Sequence, residues 1–152
     1  MHDQIAHGVL LLHLAATLFM VGVIWFVQVV HYPLMAHVGR TESAAYEQAH
    51  ARRTGWVVAP PMLAELVTAV LLLWVRPADV PLWTAGAGLA LVAVNWVSTW
   101  AVQIPCHDRL ARGFDPAFHR RLVATNWLRT AVWSVRGLLV LGMAFNSLEA
   151  HR

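Results

Sequence analysis

The apolar stretch at residues 8–30, GVLLLHLAATLFMVGVIWFVQVV, decides the fold of this chain. It contains no Asp, Glu, Lys or Arg, and as an α-helix it is long enough to cross the roughly 30 Å of hydrocarbon in a bilayer. A signal peptide would have a basic segment before such a stretch and a small-residue cleavage site after it, and neither is present. We therefore interpret the stretch as a retained transmembrane helix.

Three further segments have the same character, at residues 57–75, 82–103 and 122–145. Hydrophobic residues make up 59% of the chain and charged residues only 12%, whereas soluble domains are roughly 25% charged. A short turn joins the second and third segments, which makes those two helices antiparallel. The sequence predicts an all-α integral membrane protein, with residues 1–152 forming a single domain folded as an antiparallel four-helix bundle.

The arginines indicate which side of the membrane each connection faces. Seven of them lie between the first and second segments or between the third and fourth, whereas only Arg76 and Arg152 lie on the opposite side. By the positive-inside rule, both long connections are cytoplasmic and both termini are outside, in a bacterial cytoplasmic membrane. The positive net charge follows from this topology, so no nucleic-acid partner is expected. Cys106 is the single cysteine, which excludes an internal disulfide.

The connection after the first segment has the signals of a short helix of its own. Thr41 can cap it and Gly55 can end it, which predicts a short interfacial helix between helices one and two. Pro60 and Pro61 then fit the first turn of the second transmembrane helix. The run Phe-Asp-Pro before Ala117 predicts that the fourth helix begins near Pro116, ahead of the bilayer.

Histidines and amides gather at the cytoplasmic ends of the helices. The stretches QVVHYP (residues 28–33) and QIPCHD (residues 103–108) echo each other there, although the echo is too short to establish an internal duplication. The predicted topology brings seven polar side chains to this level: Gln28, His31, His50, Gln103, His107, His119 and Asn126. Taken singly, each histidine fits an interfacial residue that reaches water. Taken together, His31, His50 and His107 are the arrangement that a Zn, Fe or Cu site between helices would use.

Ionisable residues also occur inside the apolar segments, namely Glu65, Arg129 and Arg136. Such groups are costly in hydrocarbon and normally face the interior of a bundle, paired or beside a cavity. One interpretation is a structural ion pair between Glu65 and an arginine. The other is a pocket for an anionic or carbonyl-bearing ligand, to which Gln28, Gln103 and Arg136 would contribute.

Two stretches in the second half of the chain resemble a known family. QIPCH (residues 103–107), followed by TNWLRT (residues 125–130), is similar to the N-x-P-x-N and W-N-x-x-R-T segments of the anthrone oxygenase-like family of small four-helix membrane proteins. Asn126, Arg129 and Thr130 match that pattern, whereas Gln103 and His107 stand in place of asparagines, and the tryptophan follows Asn126 instead of preceding it. The resemblance implies a lipophilic pocket and the oxidation of polycyclic anthrones to quinones.

These observations lead to one preferred hypothesis. We expect a membrane-embedded oxidoreductase or oxygenase that acts on a lipophilic phenol, anthrone or quinol, with the lipid bilayer as its other partner. The three clustered histidines would be bases or metal ligands, and Glu65 would be a proton acceptor or a further ligand. Asn126 and Arg129 would stabilise an oxyanion by directed hydrogen bonds.

Two alternatives from other classes remain open. A haem-binding electron carrier would show a Soret band, although His13 and His31 lie about 27 Å apart along one helix and cannot share one metal. A non-catalytic transporter or accessory subunit would use the same polar residues to line a path or a contact. The candidate cofactors are thus a transition metal (Fe, Cu or Zn) or haem, and a homo-oligomer is compatible with the pattern.

Overall fold

The computed structural model of the protein describes residues 2–150 and shows only helices, without strands, over that range. Four long helices dominate the chain, and each is long and apolar enough to cross a membrane. The all-helical prediction and the number of helices are therefore confirmed. The first helix begins with an α-helical part, His2–Phe26, and the second is Ser43–Leu71. The third begins with Leu82–Ser98, and the fourth is Pro116–Glu149.

The first and third helices share an irregularity near their ends. A π-helical segment, Val27–His31, interrupts the first helix before its last turn, Tyr32–Met35. A second π-helical segment, Thr99–Gln103, leads in the third helix into Ile104–Leu110. In each case a proline follows two residues after the segment, at Pro33 and at Pro105. The proline ring would clash with the carbonyl four residues earlier, which lies inside the wider π turn.

The second helix differs from the prediction. Ser43–Leu71 is one continuous helix, so the predicted short interfacial helix is its first part and not a separate element. Gly55 lies within this helix and does not end it. It lacks the positive φ of a helix-ending glycine, which among the described residues only Gly113 has. Pro60 and Pro61 lie inside the helix, where each proline removes one N–H bond and its ring crowds the carbonyl four residues earlier.

The start of the fourth helix is as predicted. Asp115 has an extended backbone, and its side chain accepts hydrogen bonds from the backbone N–H groups of Ala117 and Phe118 at 2.9 and 3.3 Å. Pro116 occupies the first helical position, where a missing N–H costs nothing. This cap fixes the helix start well before the apolar part of the sequence.

The contacts between helices define two ends of the molecule. At one end, which we call the connection end, lie residues 36–42 and 111–115 together with the two π-helical segments. At the other, the terminal end, lie the turn at residues 72–81 and the outer parts of the first and fourth helices, where His7 contacts Ser147. A core cluster around Leu72 and Val140 fills the terminal end. A second cluster, around Cys106 and Leu122, fills the connection end.

The two helix pairs repeat each other in outline. The π-helical segments begin 72 residues apart, at Val27 and Thr99, and the prolines after them, Pro33 and Pro105, have the same separation. The helices that follow begin at Ser43 and Pro116, within one residue of that spacing. This structural echo is not in register with the sequence echo, in which the glutamines are 75 residues apart and the histidines 76. It places two helix breaks at the connection end.

Candidate functional site

Three histidines from three helices meet at the connection end. His31 Nε2 lies 2.8 Å from His50 Nδ1, and the two rings stack with their centroids 4.3 Å apart. The ring of His50 is also 5.4 Å from the ring of His107. His50 therefore lies between the other two imidazoles, as a residue near the start of the second helix.

Two further residues hold His107 from opposite sides. Its Nδ1 contacts Glu47 Oε1 at 2.5 Å, and its Nε2 lies 3.0 Å from the hydroxyl of Tyr32. Glu47 is 2% exposed, although it belongs to a polar part of the sequence. The side chain of His107 is 16% exposed, which leaves one edge of the ring accessible.

The π-helical segment of the first helix separates two predicted site residues. In a regular helix Gln28 and His31 would share a face, as expected from their spacing, but a π turn holds more residues and rotates them apart. Gln28 is buried and donates to the carbonyl of Val123 at 3.3 Å, whereas His31 turns towards His50. Gln28 therefore belongs to a buried network with Asn126, and His31 belongs to the histidine cluster.

A cavity of about 360 Å³ lies beside this cluster, between the helices. Its polar end is formed by Tyr32, His50, Thr54, His107 and Arg129. The other lining residues are mostly apolar, among them Met20, Ile24, Met62 and Trp96, and they also include Thr99, Gln103 and Asp108. Most of the cavity wall is thus apolar, and one end carries hydrogen-bond donors and acceptors.

Arg129 is fixed in place by its neighbours. It donates from Nη1 to Asn126 Oδ1 at 3.1 Å, and its guanidinium lies 5.0 Å from the centre of the Trp133 ring. Asn126 is fully buried and donates in turn to Gln28 Oε1 at 2.8 Å. Asn126 and Gln28 do not line the cavity. Their contacts position the arginine that does.

Gln103 is the other predicted amide, and it does line the cavity. Its Nε2 donates to the hydroxyl of Thr125 at 3.1 Å. Its buried Oε1 has no hydrogen-bond partner among residues 2–150. An unpaired buried acceptor is costly, so this oxygen is available to a donor group of a ligand.

A surface groove of about 400 Å³ adjoins the cavity on the outer side of the first and second helices. His50 and Thr54 line both spaces. Exposed residues such as Gly22, Phe26 and Val57 line the groove alone. The polar end of the cavity is therefore adjacent to the outer, apolar face of the protein.

Glu65 and Arg136 belong to a separate network towards the terminal end. Arg136 Nη2 lies 3.1 Å from Glu65 Oε1, and Trp133 donates to Glu65 Oε2 at 3.0 Å. His13 joins them through Arg136 at 3.5 Å and contacts Thr68 at 2.7 Å. Neither Glu65 nor Arg136 lines the cavity, so the structure does not place them with the histidine cluster.

The residues best placed to hold a metal differ from the predicted set by one member. Donor atoms of Glu47, His50 and His107 all lie within 4.8 Å of one another, whereas His31 contacts the cluster through His50. The predicted set of ligands did not include Glu47, although the sequence contains a pattern that indicates it. Glu47 and His50 are three residues apart, the Glu-x-x-His spacing by which one helix presents a carboxylate and an imidazole to a metal.

The geometry gives little support to haem bound between two of these histidines. His31 and His50 stack face to face at 4.3 Å, which leaves no space for a porphyrin plane between them. His13 contacts Thr68 through Nδ1 at 2.7 Å and Arg136 through Nε2 at 3.5 Å, so binding iron would replace one of these contacts.

Comparisons of the chain with protein-family models, with curated proteins and with solved structures give no match. The resemblance to the anthrone oxygenase-like family therefore remains a prediction. What the fold and the site define is a class: an all-helical protein with four apolar helices and a His/Glu/Tyr/Arg cluster at the polar end of a cavity.

Proposed function

We propose that this chain is an antiparallel four-helix membrane protein that oxidises a lipophilic phenol, anthrone or quinol in the cavity at its connection end. The observation that carries the proposal is the cavity itself. Its apolar body suits a polycyclic or isoprenoid ring system, and its polar end suits a phenolic or carbonyl oxygen. Its volume of about 360 Å³ lies in the range of small-molecule sites.

The outer faces of the helices support a membrane location. Large apolar side chains are widely exposed along all four helices, including Phe26, Leu138 and Phe145 at 59–72%. Monomeric soluble proteins rarely present apolar surface on this scale. Tryptophans 69–79% exposed, Trp56, Trp74 and Trp83, fit interfacial positions. The groove between the first two helices would then face lipid and admit a lipophilic substrate from the side.

The proposed chemistry begins with removal of a proton. When a base in the histidine cluster removes a proton from a phenol, or from the methylene group of an anthrone, the negative charge develops on the substrate oxygen. Arg129 and Tyr32 lie at the end of the cavity where this oxygen would be bound. Fixed donors aimed at a developing oxyanion are a strong source of rate enhancement.

The oxidation itself uses dioxygen as the second substrate. For an anthrone, the electron-rich enolate reacts with O₂, and one oxygen atom becomes the second carbonyl of the anthraquinone. The other oxygen leaves with the two methylene hydrogens as water. For a quinol, two electrons and two protons pass to O₂ and give hydrogen peroxide and the quinone.

Oxygen consumption tests the proposal. Detergent-purified protein is mixed with anthrone or with a short-chain quinol, and O₂ uptake and quinone absorbance are recorded together. We expect one O₂ consumed per anthrone oxidised.

Arg129→Gln should lower the rate by about 100- to 1000-fold, because it removes an oxyanion donor. The control Arg120→Gln changes an exposed arginine of the same helix and should leave the rate unchanged. Rates equal to those without protein, for both substrates, would contradict the proposal.

A further inference from the structure

We propose that Glu47, His50 and His107 form a mononuclear site for one divalent first-row transition-metal ion. The three residues come from the second and third helices, and their donor atoms all lie within 4.8 Å of one another. Two imidazoles and one carboxylate are the protein ligands of non-haem Fe(II) oxygenases and of several catalytic zinc sites. Such sites leave coordination positions open for water or substrate.

The hydrogen bonds around the two imidazoles identify the nitrogens that would bind the ion. His50 uses Nδ1 for His31 and for Thr54, at 2.8 and 3.0 Å, which leaves Nε2 for a metal. His107 uses Nε2 for the Tyr32 hydroxyl at 3.0 Å, which leaves Nδ1, the nitrogen that faces Glu47. Metal-bound histidines nearly always have their second nitrogen held in this way.

The carboxylate supplies an independent indication. Glu47 is 2% exposed, and its Oε2 has no hydrogen-bond partner in the described part of the chain. A buried carboxylate oxygen without a partner is strongly disfavoured, because its lost hydration is not replaced. A divalent cation at this point would satisfy that oxygen and would replace the contact between Glu47 and His107.

The distances and the surroundings are compatible with a bound ion. Ligand atoms about 2.1 Å from a tetrahedral ion lie about 3.4 Å apart, so the side chains would have to move by about 1 Å to close around the ion. His50 and His107 both line the 360 Å³ cavity, and the open positions of the ion would therefore face it. An oxygen atom of a ligand in the cavity could then bind the ion beside Arg129.

Cobalt(II) is the probe that tests the site, because its visible absorption depends on its coordination. Purified protein is stripped with a chelator and titrated with Co(II) in detergent, and bound cobalt per chain is measured by elemental analysis. We expect one ion per chain, with a d–d spectrum of a low-coordinate nitrogen and oxygen site. The titration contains no substrate, so its result is independent of the proposed oxidation.

Variants test whether cobalt binds at the Glu47, His50 and His107 cluster or at exposed histidines elsewhere. Glu47→Gln and His107→Ala should reduce bound cobalt to less than about a tenth at the same free concentration. His31→Ala and Tyr32→Phe, which only orient ligands, should weaken binding by about 10- to 100-fold. His37→Ala removes an exposed imidazole near the same end and should change nothing. Glu47→Gln keeps the shape of the side chain and serves as the decisive variant if His107→Ala does not fold.

Two results would overturn the metal site. One is wild-type protein that binds no cobalt beyond the amount found in detergent alone. The other is folded Glu47→Gln protein that binds cobalt as tightly as His37→Ala protein. Inactivity towards anthrone together with one tightly bound cobalt would instead remove the oxidation and keep the metal site, so the two proposals fail separately.

Discussion

Glu65 and Arg136 form a charged pair with almost no access to solvent, at 2% and 0% exposure. Because the pair does not line the cavity, we expect it to contribute to stability and not to the reaction. A buried ion pair adds little over an apolar pair of the same size, but removing only one partner leaves an uncompensated charge. Removing one charge of the pair should therefore destabilise the protein, whereas removing both charges should not.

Glu65→Gln should destabilise the protein by about 3–5 kcal/mol, because it leaves Arg136 without its counter-charge. The double variant Glu65→Gln/Arg136→Met removes both charges and should recover most of that loss. Thermal unfolding in one detergent measures both. An unchanged melting temperature for Glu65→Gln, combined with loss of substrate oxidation, would contradict this role and make Glu65 catalytic.

The two buried carboxylates also show what a sequence can reveal about single residues. Glu65 is conspicuous because it interrupts an apolar segment, and its burial next to an arginine follows from that position. Glu47 stands among polar residues, where a carboxylate is normally solvated. Its burial results from contact with the third helix, 60 residues away, and no local pattern reports such a contact. The ring contacts of His31 and Tyr32 were equally hidden, because they depend on the π turn.

At the scale of elements, the π-helical segments determine which side chains reach the site. A π turn contains one residue more than the α turn it replaces, and the helix on either side keeps its direction. A proline follows two residues after each π-helical segment, Val27–His31 and Thr99–Gln103. The extra residue of the π turn rotates the last turn of each helix. His107 on the third helix reaches Tyr32 and Glu47 as a result.

Deletion of Ala101, an exposed residue within Thr99–Gln103, should convert the π turn into a regular α turn and leave both flanks in register. We expect folded protein whose melting temperature changes by only a few degrees. Deletion of Ala90, equally exposed but in the regular part of the helix, rotates all following residues by about 100° and should give aggregated protein. Size-exclusion chromatography in detergent compares the two, and equal aggregation of both would contradict this interpretation.

The helices themselves were largely predictable, since apolar length is a strong signal and Asp115 with Pro116 is an unambiguous start. The continuous second helix was not. Gly55, Pro60 and Pro61 all act as helix breakers in solvent-exposed sequence. Here the first part of the helix packs against the third helix through Glu47 and His50, and this tertiary contact overrides the local preference for a break.

For the whole molecule, the distribution of arginines predicts the orientation in the membrane. The connection end has Arg40, Arg52, Arg53, Arg109, Arg112, Arg120 and Arg121, whereas Arg76 is at the terminal end and Arg152 lies outside the described residues. If all four candidate helices cross the membrane, both termini lie on one side of it. The candidate site would then be on the cytoplasmic side.

Reporter fusions test this orientation. An alkaline phosphatase fused after residue 150 should be active, because that enzyme needs export, and a fluorescent protein that matures only in the cytoplasm should be dark at the same place. Insertion of the same reporters at Gly39 should give the opposite result. A fluorescent C-terminal fusion would contradict the predicted sidedness.

The groove between the first and second helices also determines how the proposed activity would depend on concentration. A molecule that enters through Gly22, Phe26 and Val57 comes from the lipid phase, so its supply is set by its mole fraction among lipids and not by its amount per litre. Adding substrate-free micelles at constant total substrate would lower the mole fraction of substrate in the micelles. The reaction would then slow down. A Michaelis constant for this protein would properly be expressed per mole of amphiphile.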